Sequence, residues 1–270
     1  KGIVRSIPDT LIVHNEIIAR EAVQYSFVDQ EKISIIGIPH YDRYIKARNE
    51  RNEKGRNAFF ASLQFDQKKK LLLFAPFGDR YIRNNGIDIL VLETLSAFDA
   101  NILVRLPPTD TVNLKGFKTR GAHVELYTSG NRTWRGGEKL NEISSADEEH
   151  LIQSLLYADL VVTGQSTIAV DATVFDTPAI VVAFDEKPRV YYDSVQRYYE
   201  YEYYKKFARA GSVRFVHTPD ELTALTEQYL GHPTQDSAQR TRAAEEQAYK
   251  LDGNATKRLA TLLQRTLHGS

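Results

Sequence analysis

The sequence predicts an α/β fold in which a parallel sheet carries helices on both faces. Short apolar runs rich in Val, Ile and Leu recur along the chain, segments of helical pattern alternate with them, and 42% of the residues are hydrophobic. A strand that is covered on both faces is apolar throughout rather than alternating. Strand–helix alternation of this kind is typical of parallel sheets with right-handed crossovers.

Eight runs have the composition of such buried strands. They occupy 10–14, 33–38, 71–75, 102–106, 124–128, 159–163, 179–184 and 213–217. Helical patterns lie between most of them, at 16–27, 86–99, 147–157, 167–175, 192–208 and 219–230. We therefore expect two strands near the start of the chain and six in a larger domain.

The two groups of strands are separated by a charged stretch, 41–57, in which no apolar stripe is wide enough for a core. We interpret 1–45 as the end of a truncated N-terminal domain, 46–67 as an exposed, partly helical connector, 68–235 as a nucleotide-binding domain and 236–270 as C-terminal helices. Because two strands do not make an independent domain, the first segment is either an edge attachment or the remnant of a second α/β domain. The absence of methionine favours the remnant.

Composition excludes several classes of protein. The 35 basic and 35 acidic residues cancel, which argues against a general nucleic-acid binder. The chain has no cysteine, so thiolate chemistry and disulfides are excluded. No apolar run approaches the roughly 18–20 residues that span a bilayer, and the N-terminus lacks the apolar stretch of a signal peptide. We expect a cytoplasmic protein.

The stretch "ADLVVTGQSTIAVDATVFDTPAIVVAFD" at 158–185 places a polar turn, Gly164-Gln165-Ser166-Thr167, between a strand and a helix. In an open parallel sheet, ligands bind outside the carboxyl ends of the strands. Backbone N–H groups and hydroxyls there can bind phosphate oxygens, and Asp171, one turn further on, can pair with ribose hydroxyls. The pattern fits equally a Ser166 that only caps the helix and a solvated Asp171.

This stretch resembles the nucleotide-binding motif in the C-terminal domain of GT-B glycosyltransferases, which have two Rossmann-like domains. It is most similar to the motif of CDP-glycerol glycerophosphotransferase-like surface-polysaccharide transferases. That motif has an apolar strand, a turn with Ser or Ser-Thr, an acidic residue one turn later, and Pro before a second strand. Ser166, Thr167, Asp171 and Pro178 match it.

Four other segments resemble the same family in the same order. They are "EKISIIGIPHYDRY" (31–44), "KKKLLLFAPFGDR" (68–80), "ILVRLPP" (102–108) and "LDGNATKRLATLL" (251–263). The first matches a Gly-x-Pro-Arg-x-Asp pattern at Gly37, Pro39 and Asp42, with His40 in the place of Arg. In the third, Arg105 matches, whereas the residue after it departs from the pattern.

The resemblance implies a transferase that moves a glycosyl or glycerophosphoryl group from a nucleotide-activated donor to a polysaccharide or lipid-linked acceptor. It implies a nucleotide diphosphate donor at 164–167, no metal, no cofactor, no nucleic acid, and peripheral association with the inner face of the membrane. Two alternatives stay open. One is a nucleotide-sugar 2-epimerase, which has the same architecture, and the other is a nucleotide-binding domain without chemistry.

Further side chains are candidates for the site, each with a structural alternative. A guanidinium can neutralise a diphosphate, so Arg80, Arg105 and Arg135 are donor-binding candidates. A solvated loop is the alternative for Arg80, a buried ion pair for Arg105, and a loop that packs Trp134 for Arg135. His40 is a candidate general base, or else it makes a local hydrogen bond.

Two other groups of residues carry weaker signals. His123, His150 and His217 lack the spacing of metal ligands, so we predict no metal site. The Tyr-rich run 190–207 is predicted as a helix whose tyrosines either pack on the sheet or form a surface for an acceptor or partner.

Overall fold

The computed structural model describes residues 6, 8–79, 82, 86–108, 110–129, 131–135 and 138–268, with the backbone alone at 131–135, 138–142, 203, 206, 207 and 268. Contacts divide the chain into two compact units. Unit 1 is Lys1–Glu50 together with Thr241–Ser270, and unit 2 is Arg51–Arg240. The first and the last segments of the sequence therefore belong to one unit.

The described helices and strands follow one another in this order: β1 Leu11–Val13, α1 Glu16–Ser26, β2 Ile33–Ile35, α2 Tyr41–Asn49, α3 Glu53–Ser62, β3 Lys70–Ala75, α4 Ile87–Leu95, β4 Ala100–Leu106, β5 His123–Thr128, β6 Asn131–Arg135, β7 Glu138–Glu142, α5 Ser145–Tyr157, β8 Leu160–Thr163, α6 Ile168–Val174, β9 Ala179–Val182, α7 Gln196–Tyr199, α8 Glu202–Arg209, β10 Arg214–Val216, α9 Pro219–Gly231, α10 Ser237–Ala248 and α11 Ala255–His268. All eight predicted strands are present.

Unit 2 is built on a six-stranded sheet in the order β10-β9-β8-β3-β4-β5, and every pairing in it is parallel. This confirms the predicted α/β class. The chain leaves β3 in one direction through β4 and β5, then returns to β8 on the other side of β3. The order of strands therefore reverses between β3 and β8, and ligands in such sheets bind at the carboxyl side of that reversal.

The centre of the sheet is fully buried, which is why its strands are apolar on both faces. Leu71, Leu72, Leu73 and Phe74 of β3 have no exposed surface. On one face, α4 and α9 add buried Leu, Val and Tyr side chains to the same core. The central strands are thus a rigid base for the loops at their ends.

Two strands that the sequence pattern did not predict, β6 and β7, pair antiparallel with each other, with Asn131 opposite Glu142. Apolar alternation, the usual sign of a strand, is missing in both, so the pattern could not indicate them.

The Tyr-rich run is also not one helix. It contains a short 3₁₀ turn at Tyr191–Asp193, then α7, then α8. The break coincides with contacts to Asp185, which lies three residues after β9 ends: Asp185 accepts hydrogen bonds from Ser194 Oγ (2.6 Å) and from the backbone N of Val195 (2.9 Å). A carboxylate that binds these groups fixes a new helix start inside the run.

The charged stretch 41–57 and the predicted connector 46–67 are largely helical, and helices α2, in unit 1, and α3, in unit 2, each bury side chains. In α2, Tyr44 is 1% exposed and Ile45 is 6% exposed. In α3, Phe60 is completely buried, and the Arg56 guanidinium carbon lies 3.9 Å from the centroid of its ring. The charges that dominate 41–57 cover helices whose inner faces are aromatic.

Unit 1 contains a two-stranded parallel sheet in which Leu11 of β1 pairs with Ile33 of β2. The carboxylate of Asp42 accepts hydrogen bonds from the backbone N–H groups of Ala255 (3.0 Å) and Thr256 (2.8 Å) at the start of α11. Two segments that resemble the family, 31–44 and 251–263, therefore contact each other.

A second contact joins the same two segments. The Nε of Arg258 donates to the carbonyl of Ile36 at 2.8 Å, while its Nη1 donates to both carboxylate oxygens of Asp252 at 2.9 Å. The next residue, Gly37, has a φ of +86°, and a Cβ there would lie 3.2 Å from Nη2 of Arg258. Glycine is favoured at this position for both reasons.

Candidate functional site

The turn between β8 and α6 lies at the carboxyl side of the strand reversal, next to the end of β3. Hydrogen bonds between residues that are close in sequence set the geometry of this turn. The N–H of Ser166 donates to the carbonyl of Gly164 at 2.9 Å, and the N–H of Ile168 donates to Ser166 Oγ at 3.3 Å. Ser166 therefore does accept a bond from the start of the helix, as the capping interpretation expects. Ser166 is half-buried and Thr167 is exposed.

The two other residues singled out near this turn differ in their surroundings. The side-chain oxygen of Gln165 is buried and has no hydrogen-bond partner among the described residues. Asp171 is half-buried in the first turn of α6, where its N–H donates to the Thr167 carbonyl at 3.1 Å. The predicted spacing of Thr167 and Asp171 by one helical turn is thus present.

The β8–α6 turn packs directly on the loop that follows β3. A Cβ added to Gly164 would lie 2.2 Å from Cε1 of Phe77, so this position admits no side chain unless the Phe77 ring moves. One residue earlier, Thr163 Oγ1 donates to the carbonyl of Ala75 at 2.9 Å. The ends of the two central strands are therefore joined by a polar and an apolar contact.

The loop after β3 is held in turn by Asp88, which is 1% exposed in the first turn of α4. Its two carboxylate oxygens accept the N–H groups of Phe77 (2.8 Å) and Gly78 (3.2 Å). Sequence reasoning missed both Phe77 and Asp88. An acidic residue in the first turn of a predicted helix was the available signal, but nothing in the pattern shows which backbone groups it binds.

Arg105 is held by side chains and backbone of its own domain. It is 9% exposed, with Nη1 donating to His150 Nδ1 (2.8 Å) and Nη2 donating to the carbonyl of Asp147 (3.1 Å). Burial, together with the Arg105 charge, lowers the pKa of His150 to about 4. The guanidinium completes a buried polar group, so we leave Arg105 out of the donor site.

The remaining arginine candidates lie where side chains are not described. Arg80 is outside the described residues. Arg135 ends β6, where only the backbone is described. The proposed contacts of Arg80 and Arg135 with a diphosphate stay predictions.

His40 lies in unit 1, where it precedes the first residue of α2 and is exposed. Its ring meets that of Tyr44 edge-on, with centroids 4.9 Å apart. Its role as a general base stays a prediction.

Neither a metal centre nor a membrane span is evident in the part of the chain that the structure describes. No three His, Cys, Asp or Glu residues there are grouped so that they could hold a metal ion. None of the helices described is both long and apolar enough to cross a bilayer.

The family model described as CDP-Glycerol:Poly(glycerophosphate) glycerophosphotransferase matches residues 4–265. Among solved structures, the wall teichoic acid polymerase TagF gives a TM-score of 0.63 at 17% identity, over 96% of this chain and 58% of that chain. A TagF variant soaked with CDPG gives 0.61 at 16% identity, over the same shares. The chain thus spans 58% of the length of TagF.

A further similar structure is the UDP-GlcNAc 2-epimerase from Neisseria meningitidis bound to UDP-GlcNAc. Its TM-score is 0.60 at 13% identity, over 95% of this chain and 61% of that chain. At such identities the likeness concerns the fold, which matches that of Rossmann-like GT-B proteins. Comparison with curated protein sequences gives no match.

Proposed function

The chain belongs to the CDP-glycerol:poly(glycerophosphate) glycerophosphotransferase family, and we propose that it takes part in transfer from a nucleotide-activated donor to a cell-surface polysaccharide or lipid-linked acceptor. The donor is CDP-glycerol or a nucleotide sugar. With CDP-glycerol, an acceptor hydroxyl oxygen forms a bond to the phosphorus that carries glycerol, the P–O–P bond breaks, and CMP leaves with the electron pair. With a nucleotide sugar, the acceptor oxygen bonds to the anomeric carbon, the bond from that carbon to the diphosphate oxygen breaks, and the nucleoside diphosphate leaves with the electron pair.

The observation that carries this proposal is the position of the β8–α6 turn at the reversal of strand order, beside the end of β3. Thr167 is exposed there and Ser166 is half-buried, so the hydroxyl groups of these two residues can donate to a diphosphate. Because negative charge grows on the leaving phosphate, fixed donors at this point stabilise the transition state more than the ground state. Asp171 would bind the ribose hydroxyls.

The other roles are assigned by residue type and by resemblance. Arg80 and Arg135 are our candidates for neutralising the diphosphate, because the guanidinium fork suits phosphate. His40 is our candidate for accepting the proton of the acceptor hydroxyl. We propose that these groups act without a metal or a cofactor. The proposal predicts that transfer survives EDTA, and a strict need for Mg²⁺ would overturn this part of it.

Calorimetric titration with CDP, UDP and GDP tests the donor site directly. We expect one nucleotide to bind best, and we expect Ser166→Ala and Asp171→Asn each to weaken it about tenfold, as loss of one charge-assisted hydrogen bond does. Ser62→Ala is the matched control, because this residue is exposed and lies at the end of α3, away from the β8–α6 turn in sequence. Wild-type affinity in both site variants would show that the nucleotide binds elsewhere.

A nucleotide-sugar 2-epimerase is the alternative function, because epimerases and transferases of this kind share the same architecture. An epimerase converts a free nucleotide sugar with no acceptor present, whereas a transferase releases nucleotide only when an acceptor is supplied. A domain that only binds would show nucleotide affinity and neither reaction.

We also propose a cytoplasmic location at the inner face of the membrane, where a nucleotide donor and a lipid-linked acceptor can meet. Cell fractionation tests this. Recovery of the protein in the membrane fraction, and its release by high salt, would support peripheral association. Recovery in the soluble fraction at low salt would contradict it.

A further inference from the structure

The two loops at the strand reversal are in contact through the aromatic ring of Phe77. Three ring carbons of Phe77 occupy the space that a Cβ on Gly164 would need, at 2.2, 2.4 and 2.5 Å. Phe77 itself is 7% exposed. A ring that is buried against a backbone with no side chain cannot shift without moving that backbone.

The position of this ring is set from the other side by Asp88. The side chain is almost completely buried, and each of its oxygens accepts a backbone N–H from the loop, one from Phe77 itself. Hydrogen bonds from N–H groups to a buried carboxylate are stronger than those between neutral groups. Asp88 therefore fixes the backbone from which the Phe77 ring projects.

We propose that Asp88 is a positioning residue for the donor-binding turn. It acts through the Phe77 ring on Gly164, and so on the backbone and hydroxyl of Ser166 two residues later. The inference rests on the proposed function, because it assigns to Asp88 the task of keeping the phosphate-binding turn in one conformation before the donor arrives. Preorganised donors bind a developing charge without the cost of reordering.

Hydrogen exchange at single backbone amides tests the mechanical part without any nucleotide. In Asp88→Asn we expect the N–H groups of Ser166 and Ile168 to exchange at least tenfold faster, while those in the middle of α5 keep their wild-type rates. The control is Asp99→Asn, which makes the same change at an exposed carboxylate. Wild-type exchange at Ser166 and Ile168 in Asp88→Asn would overturn the proposal.

A double-mutant cycle tests the route through the ring. Gly164→Ala alone should weaken CDP binding tenfold or more, because the new methyl group displaces the ring or the turn. Phe77→Val removes all the ring carbons near that methyl, so the double variant should bind at least three times more tightly than Gly164→Ala. Losses that simply add would contradict the coupling.

The two proposals fail in different ways. If Ser166→Ala loses affinity while Asp88→Asn and Gly164→Ala bind CDP like wild type, the donor site stands and the positioning role falls. If no nucleotide binds the wild type, the proposed function falls, and the exchange of Ser166 and Ile168 still decides whether Asp88 controls the turn. Urea unfolding of each variant shows whether an effect is confined to the turn.

Discussion

The phenol ring of Tyr127 stacks on the imidazole of His150, with centroids 3.4 Å apart and planes 9° apart. The Tyr127 hydroxyl donates to Asp147 Oδ1 at 2.7 Å, and burial, with this bond, raises the pKa of Tyr127 to about 12. Arg105 Nη1 donates to His150 Nδ1 at 2.8 Å. Burial and the Arg105 cation both disfavour the protonated form of His150, and they outweigh the opposite effect of Asp147 on its pKa.

This arrangement predicts that the free energy of unfolding decreases as pH is lowered through one range. Burial lowers the pKa of His150 from 6.5 to about 4, so the unfolded chain binds a proton between these values that the folded chain does not. Stability is therefore unaffected by this group above pH 6.5 and declines as pH falls toward 4, by about 1–2 kcal/mol once the partial exposure of the ring is allowed for.

The variant that checks it is His150→Asn, whose oxygen keeps an acceptor for Arg105 and does not titrate in this range. Urea midpoints measured from pH 7 to pH 4 should fall less steeply in the variant than in wild type. Tyr127→Phe keeps the stacked ring and serves as control, with a wild-type slope expected. Parallel profiles for His150→Asn and wild type would contradict the prediction.

We expect substitution of Arg240 to cause a large loss of stability. It has no exposed surface, and it donates to Asp176 Oδ1 (2.8 Å) and to the carbonyls of Gln235 (2.6 Å) and Pro233 (3.0 Å). Arg240→Met should cost about 3 kcal/mol in urea unfolding, because three acceptors lose their donor together.

The partner position should respond much less. Asp176 has a side chain that is 48% exposed and a φ of +57°, a conformation that Asn tolerates. Asp176→Asn should therefore cost no more than about 1 kcal/mol. Equal losses at the two positions would mean that the ion pair, rather than the buried carbonyls, sets the cost.

We expect substitution of Asp42 to have a local effect at the start of α11, which is distant in sequence. Because its carboxylate accepts the first two N–H groups of α11, Asp42→Ala should cost about 1 kcal/mol. Hydrogen exchange at Ala255 and Thr256 should accelerate, while exchange inside β3 should not. Asp42→Asn keeps one acceptor and should lose about half as much. Unchanged exchange at both amides would contradict the role.

Within the Tyr-rich run, Tyr199 packs in the fold whereas Tyr192 lies on the surface, and substitutions should distinguish the two. Its hydroxyl donates to the carbonyl of Val182 at 2.6 Å, and its ring meets Phe215 edge-on at 5.3 Å. Tyr199→Phe should cost about 1 kcal/mol of stability. Tyr192 is 76% exposed, so Tyr192→Phe should leave the urea midpoint unchanged. A loss at Tyr192 as large as at Tyr199 would refute this division.

The strands were predictable because burial on both faces leaves a continuous apolar run, such as Leu71–Phe74, that no loop or surface helix resembles. Helix breaks were less predictable. The interruption before Val195 coincides with its hydrogen bond to Asp185, which lies in the loop after β9. Such a contact exists only after folding, so the local pattern of tyrosines still reads as one helix.

The site shows the same limit. The turn at 164–167 and the spacing to Asp171 could be predicted, since both are local. The contact between Gly164 and Phe77 joins residues far apart in sequence. The resemblance at 31–44 gave Asp42 no role, and the structure shows that it caps α11. Residue type and spacing identify a motif, whereas its physical task depends on what the fold brings to it.

The composition of unit 1 has a consequence for how the chain is made. Unit 2 is one uninterrupted stretch, while unit 1 needs residues from both sides of it. During synthesis, Asp42 emerges long before α11, so the nascent chain can complete the six-stranded sheet of unit 2 before Asp42 meets the helix whose start it caps. A stop codon ahead of Ala255 should therefore leave unit 2 folded and expose the unit 1 residues that precede it to chaperones and proteases.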